Sequence, residues 1–325
     1  MLKKHTKCPR CNRRGIRWGG RRRYCASCNL AWRVRKKKRG RKRLRHTPAR
    51  AIQYINNRES RSSRLTYQAR LYRRVSSLNM LRKHVSWPEP PQKEPLILIA
   101  DAFLQYAENA WHTWYCILAR PIAGEDAIIL PPFYRQGTEV AIGWQEAFRA
   151  LPDSVLNRVK ALVCDGHNGL ILEARRRYWF IQRCHFHLIA RLQRHRSRWR
   201  RGFHQKEGKR IYQLVMTVLE TRSLRALADA LKKLASLGRV TASRDVRRVI
   251  SGIVTNYEDY RTYLRRPELR LPITSNTVEA FIGIVRRFCS LARGFRTLRS
   301  FNYWIEAIVK VRRTMKCRGK TNRIN

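Results

Sequence analysis

The sequence predicts an α/β fold: a mixed sheet interrupted by a long helical stretch, and preceded by a small cysteine-rich module and a helical segment. Three observations carry that prediction. Apolar runs of strand length recur between residues 95 and 184, separated by two amphipathic patterns of helical period. From 188 to 271 the period is almost wholly helical. The first 28 residues hold two C-x-x-C pairs, Cys8 with Cys11 and Cys25 with Cys28.

In CPRCNRRGIRWGGRRRYCASC each pair sets two thiolates at one turn of backbone, and Gly15, Gly19 and Gly20 let the intervening segment fold back as a hairpin. Four sulfurs then converge tetrahedrally on one structural Zn²⁺. A module this poor in apolar residues does not fold without the metal. Between and after the pairs run RRRY and RVRKKKRGRKRLR, broken by Tyr24 and Trp32. Arg21, Arg22, Arg23, Lys36, Lys37 and Lys38 of this basic surface are expected to track phosphates. The zinc ribbon with its basic extension is expected to fill 1–45.

From 46 to 90 the pattern is helical and reads as a helix-turn-helix-like DNA-binding region. Leu65, Ala69, Leu71, Val75, Leu78 and Leu81 line its inside. Its last helix starts at the cap Ser76 or Ser77 and turns Asn79, Arg82 and Lys83 outward. WPEPPQKEP, with four prolines in nine residues, reads as an extended linker. LILIADAF, WHTWYCILARPI, DAIILPPF, VKALVCD and FIQRC are the expected strands, with TEVAIGWQEAFRAL and GLILEARRRYW as helices. A helical insertion follows over 188–271. TSNTVEAFIGIVRRFCSLARGF then begins a further helix capped by Ser275 or Asn276, and 311–325 is a basic tail.

Charge narrows the partners. The 325 residues carry 72 Lys plus Arg against 21 Asp plus Glu, a formal net charge of +51. A compact state with that charge repels itself unless a polyanion screens it, and nucleic acid is the obvious polyanion. No apolar stretch approaches the ~18 residues of a spanning helix, and the basic N-terminus lacks a signal-peptide core, so a soluble intracellular protein is expected. Nine cysteines, four of them in a metal pattern, point to a reducing compartment.

In so basic a chain, placed acids stand out. Asp101 ends LILIAD and Asp165 ends VKALVCD, so two apolar strands each deliver a carboxylate. Neighbouring buried carboxylates repel unless cations sit between them, and hard oxygen ligands select Mg²⁺ or Mn²⁺. Glu279, one turn past the helix cap, supplies a third carboxylate. Such a triad fits two-metal phosphodiester chemistry, with two ions per site. Glu306, farther along, is expected to be the control acid, tolerating Gln with little effect on cleavage.

The stretch DGHNGLILEARRRYWFIQRCHFH resembles the Mutator-like superfamily of DDE transposases, including its bacterial insertion-sequence branch. The resemblance rests on Asp165 with the following G-L, on Gln182, Arg183, Cys184 and His187, and on SNTVEAF followed by RGF, which contains Arg293. It covers roughly 95–310. It implies an RNase H-like fold, with core segments at 91–187 and 272–310 around the insertion. It implies Asp101, Asp165 and Glu279 as catalytic residues, and Arg293 among the residues that contact DNA. It also implies the element's terminal repeats and target DNA as partners, and a homodimer or higher oligomer on DNA. The compartment would be cytoplasm and nucleoid in a prokaryote, or nucleus in a eukaryote. Cys184 and His187 fall beside the site, with a structural or DNA-positioning role favoured; a second zinc at Cys184, His185 and His187 is the alternative, although three ligands so close do not easily face one ion. Two other functions share these acids: a nuclease or resolvase without strand transfer, and a DNA-binding regulator that has lost the reaction.

Overall fold

The computed structural model describes residues 7–18, 22–33, 47–57, 67–198, 204–241, 243–291 and 297–317. The chain divides into two units, Met1–His46 and Thr47–Asn325. Arg21, Lys36, Lys37, Lys38 and Arg293 lie outside the described residues.

In the small unit β1 (Ile16–Arg17), β2 (Arg22–Cys25) and β3 (Leu30–Arg33) form an antiparallel sheet in that order. An asparagine follows each C-x-x-C pair with positive φ, 61° at Asn12 and 48° at Asn29. Asparagine tolerates that left-handed turn, which folds each pair back on itself. Arg22 is exposed, and Arg23 is half-buried opposite Trp32.

The large unit opens with α1 (Pro48–Asn57) and α2 (Tyr67–His84). A hairpin follows, β4 (Leu96–Ala107) and β5 (Ala110–Pro121), turned by Glu108 and Asn109, both with positive φ. Then come β6 (Asp126–Ile129), β7 (Phe133–Gln136), α3 (Ala141–Arg149), α4 (Asp153–Leu156), β8 (Val159–Cys164), α5 (Asn168–Arg176) and β9 (Phe180–Arg183). Helices α6 (His185–Arg198), α7 (His204–Glu220), α8 (Leu224–Val240), α9 (Arg244–Tyr260) and α10 (Thr262–Arg265) make the helical insertion. The chain closes with α11 (Asn276–Leu291), α12 (Leu298–Arg312) and β10 (Thr314–Lys316). The sheet order is β10-β6-β5-β4-β8-β9, with β7 on β5. β8 is parallel to β4 and β9 to β8, while the other pairs are antiparallel, so the sheet is mixed.

Strand alternation divides the core into two layers. Leu96, Leu98 and Ala100 pack with Trp144, Phe148 and Leu170 of α3 and α5. Ile97, Ile99 and Phe103 pack with Val278, Phe281, Phe301 and Ile305 of α11 and α12. Asp101 shares the second face, the one that α11 covers. The insertion has its own core around Val215, Leu234, Ile250 and Ile253.

Four expectations need correction. Helix α2 runs unbroken through Ser76 and Ser77, and Ser77 is buried while Val75 is 48% exposed. The reason is its partner: Leu78 and Leu81 pack with Tyr54 of α1 and Trp304 and Ala307 of α12. Asn79 and Lys83 are exposed, but Arg82 bonds Glu306 at 3.0 Å and lies 4.0 Å over the Tyr303 ring. The proline segment is not a free linker, since Pro88 and Pro90 are buried and Arg158 donates to the Pro91 and Glu94 carbonyls. The basic tail begins later than residue 311, because the chain re-enters the sheet as β10 beside β6 and buries Cys317.

The fourth correction concerns Glu306, which is structural. Its carboxylate holds Arg82 at 3.0 Å and Lys310 at 2.8 Å, and Lys310 is 4% exposed with its ammonium also reaching the Leu81 and Arg82 carbonyls. Glu306→Gln leaves a buried ammonium without its counter-charge. Breaking such pairs costs ~3–5 kcal/mol when fully buried. Glu306 keeps some solvent contact, so urea unfolding of this variant is expected to show a loss of about 2–3 kcal/mol. A midpoint equal to wild type would mean that solvent already compensates Lys310.

Candidate active site and metal centre

Two parallel strands set the first two carboxylates side by side. In the β4–β8 register Ile99 faces Val163, and two residues farther on each strand lie Asp101 and Asp165. Asp101 is not at a strand end, since β4 continues to Ala107; the hairpin with β5 projects beyond the shorter β8. The Ala102 N–H donates to Asp101 Oδ1 at 2.8 Å, and the His167 N–H donates to Asp165 Oδ1 at 2.9 Å. Between Asp165 and α5 the chain turns at Gly166, whose φ of +98° suits glycine, and a Cβ there would stand 3.2 Å from the Arg183 guanidinium. Arg183 in turn reaches Asn256 at 3.2 Å and Asp259 at 3.5 Å, tying the turn to α9.

The third carboxylate comes from the other layer. Glu279 lies in the first turn of α11, where Ser275 Oγ donates to its Oε1 at 2.9 Å. The Ser275 carbonyl accepts the Val278 and Glu279 amides, and its own N–H points at Cys184 Sγ, 3.2 Å away. His187 Nδ1 stands 3.6 Å from Glu279 Oε1. Donor atoms of Cys184, His187 and Glu279 all lie within 4.8 Å of one another.

Electrostatics ties these groups together. Burial, and then the charge of Asp165, push the Asp101 carboxyl up to about 7; Glu279 adds to the rise, while the Ala102 N–H and His187 oppose it. Contact with Cys184 pushes His187 up to about 9 against the opposing effect of burial, with Glu279 and Asp101 contributing. At neutral pH an imidazolium therefore sits beside Glu279, within electrostatic reach of Asp101. A buried carboxyl raised further by a carboxylate on the neighbouring strand fits a divalent cation held by hard oxygen ligands.

His185 faces the other way. Its Nε2 donates to the Tyr260 carbonyl at 2.7 Å inside the insertion, and burial pushes it down to about 4. The residues at 184, 185 and 187 are thus split between two environments. The unfolded imidazole titrates near 6.5 and the folded one near 4, so the unfolded chain binds the extra proton between these values. Stability is full above about 6.5 and falls as pH drops toward 4, by up to about 3 kcal/mol. His185→Gln keeps an N–H for Tyr260 and is expected to lose less stability than wild type between pH 7.5 and 4.5 in thermal melts. Parallel losses in the two proteins would contradict this.

Sequence reasoning missed the supporting groups. Ser275, which orients Glu279, was read only as a cap. Glu139 stands 3.8 Å from His167 and accepts the Trp144 indole N–H at 2.8 Å, beside the Asp165 turn, and no motif marks it.

In the small unit the sulfurs of Cys8, Cys11, Cys25 and Cys28 lie within 4.8 Å of one another. The Arg13 backbone N–H, foremost, draws Cys11 down to about 7, while a hydrogen bond with Cys11 pushes Cys28 up to about 12. Four converging thiols fit a tetrahedral zinc.

A family model described as transposase, Mutator family, matches residues 122–313, more than half of the chain. Among solved structures, the chain is similar to the Drosophila P element transposase strand transfer complex, with 12% identity and a TM-score of 0.44 over 85% of this chain and 94% of that one. No curated protein matches.

Proposed function

Because the chain belongs to the Mutator family of transposases, we propose that it binds the ends of its element and cuts and joins DNA with Asp101, Asp165 and Glu279. The observation that carries this reading is that Asp101 and Asp165 lie on neighbouring parallel strands and that the charges of Asp165 and, less, of Glu279 act on the Asp101 carboxyl, in a chain of net charge +51. The matched span contains Asp165, Cys184, His187 and Glu279 but begins after Asp101, so Asp101 rests on the sheet geometry alone. The five main strands, in spatial order third, second, first, fourth and fifth, support an RNase H-like reading of the core, with 188–271 as its insertion.

Asp101, Asp165 and Glu279 would hold the Mg²⁺ or Mn²⁺ ions, two per site. When bound, these stabilise charge on the phosphate and acidify the attacking water or 3′-hydroxyl. The chain's own residues prepare that site. The Ala102 and His167 amides fix one oxygen of each aspartate, and Ser275 Oγ fixes Glu279. His187 holds a proton at neutral pH, stands 3.6 Å from Glu279 and offers a cation to a phosphate oxygen. The ribbon of 1–45, with one structural zinc, and the region 46–90 would read the ends. Arg22, Arg23, Asn79 and Lys83 would meet phosphate, three of them from exposed positions. Two or more copies would act together, one at each end. Among the described residues no helix is long and apolar enough to cross a membrane.

The test is incubation with a labelled DNA end of the element, Mg²⁺ and a target plasmid. Cleaved and joined products are expected. Nicks without joined products would favour the nuclease reading, and binding without either would favour the regulator.

A further inference from the structure

A cleft opens on the large unit at the other end of β8 from Asp165. Its volume is about 460 Å³, and Asn157, Lys160, Arg177, Tyr178, Trp179 and Phe180 line much of it. A strand rises ~3.3 Å per residue, so Lys160 and Asp165 are about 17 Å apart along the chain and the cleft is separate from the carboxylates.

We propose that this cleft binds an unpaired nucleotide, its base stacked on Tyr178 and its phosphate held by Lys160. The backbone gives the first reason. Helix α5 ends in a Schellman motif, with the Tyr178 N–H on the Arg175 carbonyl at 3.1 Å and the Trp179 N–H on the Ala174 carbonyl at 2.9 Å. That motif places Tyr178 in the left-handed conformation, φ 56°, where glycine is favoured and a Cβ is strained. Here the position carries a tyrosine whose side chain stands 93% exposed and adds nothing to the core. An exposed aromatic kept at a strained position is what a contact surface would require.

The neighbours give the second reason. Phe180, 40% exposed on edge strand β9, lies under the Arg266 guanidinium at 4.6 Å, and Arg177 lies 5.5 Å over the Trp179 ring. Aromatic faces flanked by cations hold unpaired bases, because stacking needs an open π-face that a duplex conceals. Nearby acids are already engaged. Glu173 is covered by Arg176 at 2.9 Å and Arg177 at 3.6 Å, and Glu268 faces Arg266 at 3.9 Å. Lys160 has no ion-pair partner among the described residues. The volume lies within the ~300–1,000 Å³ of small-ligand sites.

A strand and a free nucleotide present the same chemistry, and photo-crosslinking of the full chain separates them. The probe is a short single strand with one 5-iododeoxyuridine, followed by peptide mapping. Label is expected on residues 177–180, and none there when the same nucleotide is paired in a duplex. Tyr178→Gly is expected to lower labelling of Trp179 and Phe180 about tenfold or more. The same variant should melt at a higher temperature, since glycine relieves the left-handed strain, so the loss cannot come from unfolding. Lys160→Glu should lower labelling as well. Competition by thymidine monophosphate assigns the free nucleotide as a ligand, and its failure assigns the strand. Label spread over the basic chain without concentration at 177–180, or labelling of Trp179 and Phe180 unchanged by Tyr178→Gly, overturns the proposal. Catalysis does not enter the readout, so either outcome leaves the transposase reading untouched.

Discussion

Asp101→Asn, Asp165→Asn and Glu279→Gln are each expected to reduce Mg²⁺-dependent cleavage and joining of an element end by about 10³-fold or more. Each removes a ligand from ions whose charge stabilises the transition state, an effect worth several kcal/mol. The three act as one unit, so double variants should lose little beyond the single ones. DNA binding should persist or tighten slightly, because a negative charge near phosphate is gone. Folding can be separated from catalysis by the sign of the stability change. The Asp101 carboxyl titrates near 7 in the folded chain and near 3.8 unfolded, so without divalent ions wild type loses stability as pH rises through that window. At pH 8 Asp101→Asn should therefore be more stable than ion-free wild type by about 2–4 kcal/mol, and equal to it below pH 3.8. Glu306 cannot serve as the control acid. Asp229, exposed on α8 and paired among the described residues with Lys233 alone at 2.7 Å, can, and Asp229→Asn should cut at the wild-type rate. An Asp165→Asn protein with near wild-type cleavage would end the triad reading; activity lost only together with DNA binding would mean that the acids serve folding.

Loss of zinc is the second large effect. Structural zinc contributes ~10–16 kcal/mol in small ribbon-like peptides, far more than a module of this size gains from its core. Metal analysis of the full chain should give one equivalent, and Cys8→Ser or Cys25→Ser should abolish it. In strong chelator the signals of residues 1–46 should collapse while the melting of 47–325 stays unchanged. Preference for element ends should fall, and the salt-steep, sequence-independent binding should remain in large part, each phosphate contact contributing a log–log slope of about 0.9. A small unit that holds its fold in chelator would contradict the zinc assignment.

Local pattern made some of this legible. Apolar runs and the C-x-x-C spacing each depend on neighbours in sequence, so the strands, the helices of 188–271 and the four cysteines could be read directly. What depends on distant partners could not. Arg82 looked free because Glu306, its partner, is 224 residues away. The burial of Ser77 and the exposure of Val75 follow from the docking of α2 on α12. Residues 314–316 looked like a tail because an edge strand tolerates lysine and threonine as readily as a solvated segment does. Asp101 was recognisable as a placed acid, but the length of the β4–β5 hairpin put it in mid-strand. His185 and His187 sit two apart in one helical turn, and only the packing of α6 sends one into the insertion and the other to Glu279.

The most direct measurement maps the ion site on the protein itself. Fe²⁺ substituted for Mg²⁺, with ascorbate and peroxide, generates hydroxyl radicals that cut the backbone within reach of the bound ion. A site shared by the three carboxylates predicts cuts clustered near residues 101, 165 and 279, suppressed by excess Mg²⁺ and lost together in Asp165→Asn. Cuts confined to one of these segments, or a pattern that Asp165→Asn leaves intact, would contradict a shared site.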